Sequence, residues 1–309
     1  MLIFFFIDAF SLPLFMLIPS DFDLPSIEQF KKILADLTKL DLAGATYQEI
    51  ENSYLMKVPF FPRMLSLVHF EERNDLPFYR VRLNIDPEKE DLSLIRTFSY
   101  PSSSQCTSNG RANRKGRTVF YCSNKAHAAI LESKPKSGDV GYLSVWKNNI
   151  KRPMKTAVYL PKRFDNPNEF QSVADGAHDF AQVYYTTHGK DKYEHFVALN
   201  NFVVEQFVKE SYPYTLTSFL CHDALYKNEP KDVIIYPSVA SNSHYCNFAF
   251  HPNIVDRHLE LEKVIRFSVA ELIEEQGMKF GLGKIGEIIE NAIQWRQGKL
   301  EEVDFNSFP

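Results

Sequence analysis

One continuous stretch, from Gly110 to Glu132, reads GRANRKGRTVFYCSNKAHAAILE. It opens with a basic loop that carries four cations and no acid in residues 111–117. Thr118 to Cys122 then predicts a short strand without polar alternation, which is typical of a strand buried on both faces. The alanine-rich end predicts a small helix that closes on one carboxylate, Glu132. This loop, strand and helix are the most informative stretch of the chain.

Strand and helix patterns on both sides of this stretch predict the class of fold. Alternation predicts a strand from Phe78 to Leu83, with Arg80 and Arg82 on the same face. Helical periodicity dominates from about 165 to 226, and an apolar β signal follows at 233–236. Strands therefore precede and follow a block of helices, without regular strand–helix alternation. We predict an α+β fold.

The domain organisation is predicted from the same patterns. Apolar residues at three- and four-residue spacing predict a helix from Pro25 to Leu40. We therefore expect an N-terminal apolar segment and helical extension over residues 1–75. A main domain would occupy 76–309, with a helical insertion at about 165–226. The stretch from Ile285 to Trp295 predicts a short closing helix or strand.

The first eighteen residues are strongly apolar, but they match no standard targeting or membrane segment. No Lys or Arg precedes the apolar run, and Asp8 and Pro13 interrupt it. Three interpretations stay open: a segment packed on the core, a weak anchor or signal, or a true start at Met16.

Composition narrows the class of protein. The formal net charge is −4 and the pI is about 6.2, so no global attraction to nucleic acid is expected. The cysteines show neither a CxxC motif nor zinc-ribbon spacing, which favours reduced thiols in a cytoplasmic protein and no metal site. The cysteines are Cys106, Cys122, Cys221 and Cys246.

The residue types around the central stretch suit a site that binds a nucleotide. A carboxylate such as Glu132 would stabilise positive charge that develops on a ribose. Phosphate groups need arginines, with Arg80 and Arg111 as first choices and Arg82 as second. An aromatic ring, a hydroxyl and an amide would hold the nucleoside. The candidates for these last three roles are Tyr121, Ser238 and Asn247.

Several short motifs stand in a characteristic order between residues 76 and 252. They are Phe78-Tyr79-Arg80, Arg111-Ala112-Asn113, Phe120-Tyr121, Ala129 to Glu132, Tyr236-Pro237-Ser238 and Asn247 to Phe250. Together they resemble the RES domain family, which is named for an Arg, a Glu and a Ser.

The resemblance implies both a fold and an activity. Characterised RES proteins resemble ADP-ribosyltransferases in fold, and they act as toxins that deplete NAD by hydrolysis or phosphorolysis. A helix-turn-helix antitoxin neutralises them. Here the resemblance implies NAD as substrate, cleaved at its nicotinamide–ribose bond, with neither a further cofactor nor a membrane partner. Arg80, Tyr121, Glu132 and Ser238 would be catalytic, while Asn113 would join the substrate-binding set of Arg111, Arg82 and Asn247.

Two alternative functions stay open. The first is ADP-ribosyl transfer to a macromolecule, whose enzymes often carry a second Glu or Gln two residues from the catalytic Glu. Ile130 and Lys134 occupy those two positions here, so transfer is disfavoured. The second is a nucleotide-binding or interaction module without turnover. A carbohydrate hydrolase would need two placed carboxylates, and the sequence offers one.

Overall fold

The computed structural model describes residues 24–40, 44–55, 67–70, 76–188, 190–227, 230–273 and 277–299. The predictions for residues 1–18 therefore lie outside the described residues.

Within the described ranges, no helix has both the length and the apolar character to cross a membrane. The helices are α1 (Ile27–Leu37), α2 (Tyr47–Leu55), α3 (Ala126–Glu132), α4 (Gln171–His188), α5 (Lys190–Lys209), α6 (Thr215–Tyr226) and α7 (Pro252–His258). The strands are β1 (Leu67–Phe70), β2 (Phe78–Leu83), β3 (Phe120–Ser123), β4 (Val140–Asn148), β5 (Met154–Val158), β6 (Val233–Pro237), β7 (Cys246–Phe250), β8 (Leu259–Ile273), β9 (Gly277–Ile289) and β10 (Ala292–Gln297).

All ten strands of the described ranges form one sheet, in the order β1-β5-β6-β7-β3-β2-β4-β8-β9-β10. Only β5 and β6 pair in parallel, and every other neighbouring pair is antiparallel. This mixed sheet with seven helices confirms the α+β class.

The N-terminal part of the chain is joined to the main sheet. α1 begins at Ile27 because Ser26 and Gln29 form a reciprocal capping box at its N-terminus. The region between α1 and the main domain also supplies a strand, since β1 pairs with β5. The extension is therefore not entirely helical, and the proposed division at residues 75 and 76 stays a prediction.

The closing element is a hairpin and not the single short helix or strand predicted from Ile285 to Trp295. β9 and β10 pair antiparallel across a two-residue turn at Glu290 and Asn291. Both turn residues have positive φ angles, 50° and 64°. Such a turn matches the right-handed twist of the flanking strands. Asn291 was the one local signal for it.

Two apolar cores cover one face of the sheet. Cross-strand neighbours share a face, and Tyr79 lies opposite both Ser123 and Val145. The helical core, where α1, α5 and α6 meet the sheet, includes Phe30, Phe196, Phe207, Phe219, Tyr236 and Ala249. The α3 core, where α3 meets β4, β8 and β9, includes Ala126, Ile130, Leu143, Val145, Ile265 and Phe267.

A third core covers the other face of the sheet. Phenylalanines of β2, β3 and β7 form its centre, and the start of α4 and the Ile254–Val255 pair of α7 pack in the same core. Because β3 and β7 are buried on both faces, they read as continuous apolar runs in the sequence. The main members are Phe78, Phe120, Trp146, Phe170, Phe248 and Phe250.

Replacing Gly141 with alanine should destabilise the α3 core. Gly141 lies opposite Phe267, and an added Cβ would stand 2.0 Å from Cζ of that fully buried ring. We expect Gly141→Ala to lower the free energy of unfolding by about 1–3 kcal/mol in urea titrations. Gly281→Ala is the control, because its Cβ would meet only the rotatable hydroxyl of Ser268, at 2.6 Å. An equal loss in both variants would contradict this account.

Candidate active site

A pocket of about 390 Å³ lies between the helical core and the α3 core. Strands β2, β3, β6 and β7 form its floor, with Tyr121 and Tyr236 from the helical core and Tyr79 from the α3 core. α3 forms one wall, and the loop after Gly110 forms another together with the start of α6. Pockets for small ligands in proteins typically measure roughly 300–1,000 Å³.

Glu132 stands at the last position of α3, on the wall of this pocket. Its Oε1 accepts a hydrogen bond of 2.7 Å from the Ser238 hydroxyl and one of 2.8 Å from the Asn247 amide. The backbone N–H of Ala240 adds a longer one of 3.4 Å. No donor among the described residues reaches Oε2. One oxygen is thus held in place while the other stays available to a ligand.

The turn between β6 and β7 presents the donors to Glu132. Ser238 is fully buried, and its hydroxyl also accepts a hydrogen bond of 3.3 Å from the backbone N–H of Ser241. Asn242 and Ser243 close the turn with φ angles of 49° and 61°. Asn247 follows on β7. These bonds orient the serine hydroxyl, so that its proton is directed at the carboxylate.

Asn124 does not cap α3, although asparagine is among the residues preferred at helix N-caps. The N-cap is Lys125, whose side chain makes no capping bond. The side-chain amide of Asn124 donates to Glu169 at the start of the helical block, and Lys125 forms an ion pair with the same carboxylate at 3.2 Å. A tertiary partner has replaced the local cap.

Arg80 lies where β2 and β3 diverge. The two strands pair at one position only, Tyr79 with Ser123. Beyond it, Nη1 of Arg80 donates 3.0 Å to the backbone carbonyl of Tyr121, and the buried Nε has no partner in the structure. Burial, with a contribution from the neighbouring Arg82, lowers the pKa of Arg80 to about 10. The guanidinium therefore keeps its charge at neutral pH.

Arg82 is not part of the pocket. It forms a bidentate ion pair with Glu90 at 2.7 and 2.8 Å, and it also donates to the Thr97 carbonyl. Because Arg82 is two residues further along β2, its position on the strand is about 6.6 Å from that of Arg80. The structure thus separates two arginines that the alternation pattern treats as equivalent.

Tyr121 contributes its ring to the pocket and its hydroxyl to the basic loop. The hydroxyl accepts a 2.7 Å bond from the Ala112 N–H and donates 2.9 Å to Oδ1 of Asn113. Burial raises the pKa of Tyr121 above its ordinary value, so the phenol stays protonated. Gly110 leaves room for this contact, since a Cβ there would lie 2.8 Å from the Tyr121 hydroxyl. Asn113 therefore organises the loop and does not line the pocket.

Arg111 does line the pocket, and the helical insertion holds it there. Nη1 donates to the carbonyls of Phe207 and Glu210, at 2.6 and 3.1 Å, where α5 ends. A cation at a helix C-terminus is favoured by the exposed carbonyls. The guanidinium also lies over the ring of Tyr214, 4.8 Å from its centroid.

Sequence reasoning did not assign Tyr236 or Tyr214 to the site, although both line the pocket. Tyr236 belongs to the Tyr-Pro-Ser motif, and it stacks on Phe207 with ring centroids 4.6 Å apart. Burial is the main cause that raises the pKa of Tyr236. The nearby Tyr121 and Glu132 raise it further, and Arg111 lowers it. Tyr214 follows Pro213, whose position between two helical patterns was the available signal.

The comparisons with known proteins give one match. The model of the RES domain matches residues 77–268, which is more than half of the chain and includes Arg80, Glu132, Ser238 and Asn247. Comparison with curated proteins gives no match, and comparison with solved structures gives none either. The likeness to the ADP-ribosyltransferase fold accordingly stays a prediction.

Tyr121→Phe should remove the hydrogen bonds that hold the basic loop while keeping the aromatic ring that lines the pocket. The ring remains, but the buried N–H of Ala112 and the side chain of Asn113 lose their partner. We expect the free energy of unfolding to fall by about 1–3 kcal/mol, measured by urea denaturation. Tyr212→Phe is the control, since that side chain is 68% exposed. The hydroxyl has no such role if the two variants are equally stable.

Proposed function

This chain belongs to the RES domain family, and on that premise we propose that it consumes NAD by cleaving the bond between nicotinamide and ribose. The family membership supports an NAD-related enzymatic role in general. The arrangement around Glu132 supports the particular reaction. NAD would be the substrate and not a cofactor.

The observation that carries the proposal is that, among the described residues, hydrogen-bond donors reach only one oxygen of the Glu132 carboxylate. Oε1 holds two short bonds from Ser238 and Asn247, and Oε2 is left open at the pocket wall. A fixed carboxylate stabilises positive charge that develops on a ribose, because its dipoles need no reorganisation during the reaction. The nicotinamide leaves as a neutral molecule, so no general acid is required.

The bonds and charges of the reaction balance without a further reactant beyond the acceptor. The bond from ribose C1 to the pyridinium nitrogen breaks, and its electron pair neutralises the nicotinamide ring. A bond forms from the same carbon to an oxygen of water or inorganic phosphate. The acceptor loses one proton, which passes by way of Oε2 of Glu132 to solvent. The product is ADP-ribose or its phosphate ester.

Two arginines support recognition of the diphosphate. Arg80 and Arg111 both line the pocket, which contains Glu132 as its one acidic residue. Among the described residues, no acceptor contacts Nε of Arg80 or the Nε and Nη2 groups of Arg111. These N–H groups suit phosphate oxygens, for which guanidinium has matching planar geometry. A helix-turn-helix antitoxin as partner stays a prediction from the family.

Glu132→Gln should abolish most of the turnover and keep the pocket. The amide oxygen can still accept from Ser238 and Asn247, while the negative charge is lost. We expect kcat for nicotinamide release from NAD to fall by about a hundredfold or more, with little change in KM. The assay is chromatography of released nicotinamide, with and without phosphate.

Glu205→Gln provides the matched control. That carboxylate is exposed on α5, pairs with Lys209 at 3.6 Å and is not among the residues that line the pocket. It should keep the rate of the unmodified protein. Retained turnover in Glu132→Gln would overturn the assignment. If ADP-ribose label stays on protein or nucleic acid, the reaction is transfer and not hydrolysis or phosphorolysis.

A further inference from the structure

Tyr214 has an unusual backbone for a bulky residue. It is the N-cap of α6, with φ 53° and ψ 44° in the left-handed region, and its side chain makes no capping bond. Side chains with a Cβ are disfavoured there by about 1–2 kcal/mol. Strain of this kind persists where the surroundings enforce it, and it concentrates at ligand sites. The ring of Tyr214 lines the pocket.

The surroundings of Tyr214 enforce its position from several sides. In place of the missing cap, the Glu210 carboxylate accepts from the N–H groups of Leu216 and Thr217, at 2.9 and 3.0 Å. Asn109 donates 3.2 Å to the carbonyl of Pro213. With the Arg111 guanidinium over its ring, Tyr214 is joined to the basic loop on one side and to α6 and the end of α5 on the other.

A chain of contacts along the pocket leads from Glu132 through β3 and the basic loop to Tyr214. Glu132 bonds to Asn247, which lies opposite Ser123 of β3. Tyr121 is two residues further along β3, about 6.6 Å away. Its side chain then reaches across to the N–H of Ala112, next to Arg111. Tyr214 comes after Arg111 in this sequence of contacts.

We propose that Tyr214 is the stacking platform for the adenine base of the dinucleotide, so that the helical insertion selects the half of the substrate that does not react. This rests on the proposed function. With nicotinamide at Glu132 and the diphosphate at Arg111, the remaining base falls at Tyr214. Aromatic rings bind bases through their faces, and a guanidinium on the same ring strengthens such a platform.

Comparison of NAD with nicotinamide mononucleotide tests this assignment. The mononucleotide carries the reacting bond but lacks the adenosine phosphate half. For Tyr214→Ala we expect kcat/KM for NAD to fall about tenfold or more, mainly through KM, because one base stack is lost. The fall for the mononucleotide should be at least fivefold smaller. Equal falls for both substrates would overturn the assignment.

Two further variants separate stacking from a structural role. Tyr214→Gly relieves the left-handed backbone, so the midpoint of thermal unfolding should hold or rise while KM for NAD increases as in Tyr214→Ala. Tyr214→Phe keeps the ring and should keep KM within about twofold. Val208→Ala is the control, because that side chain of α5 is exposed and outside the pocket lining. An unchanged KM for NAD in Tyr214→Gly contradicts the proposal.

Calorimetric binding of ADP, which needs no turnover, distinguishes failure of this inference from failure of the proposed function. If the unmodified protein binds ADP and Tyr214→Ala binds it about tenfold more weakly, the platform is supported even when NAD is not cleaved. If NAD is cleaved but ADP binding is the same in both proteins, the proposed function stands and the platform is wrong.

Discussion

The hydrogen bonds to Oε1 of Glu132 are the interaction on which the rest of the site depends. α3 has only seven residues, and a helix of that length is not stable by itself in water. The bonds from Ser238, Ala240 and Asn247 tie its last residue to β7 and to the turn after β6. The same carboxylate satisfies a buried hydroxyl that would otherwise lack an acceptor, at a penalty of about 1–3 kcal/mol. The position of the Glu132 charge and the stability of the turn after β6 are therefore coupled.

A second constraint comes from the divergence of β2 and β3. One cross-strand pair joins them, and beyond it a guanidinium donates to a carbonyl at the edge of the gap. The gap opens between two apolar cores that both lie on one face of the sheet. A pocket forms there because neither core extends across it. Two of its floor strands, β3 and β7, are largely buried on both faces.

The helical insertion is part of the pocket and not an appendage to it. Its helices share the helical core with Tyr236, and the end of α5 holds Arg111 through backbone carbonyls. A compact domain without the insertion would lack both that anchor and Tyr214. The helical insertion therefore contributes directly to the shape of the site. α1 also packs in this core, so the N-terminal region supports the same wall from behind.

The sequence by itself determined the local elements and the members of the central site. β2 follows from alternation, β6 from its apolar run and the helix ending at Glu132 from its alanine content. The motif order assigned Glu132, Ser238 and Asn247 to one site, and the structure brings them within hydrogen-bonding distance. Only the tertiary structure showed that Arg82, the second choice for the phosphates, stays out of the pocket, since it pairs with Glu90 across a loop. It likewise decided that Asn113 organises the basic loop and that Tyr214 lines the pocket. These outcomes depend on partners distant in the chain, and a local pattern contains no information about which distant group supplies a hydrogen bond.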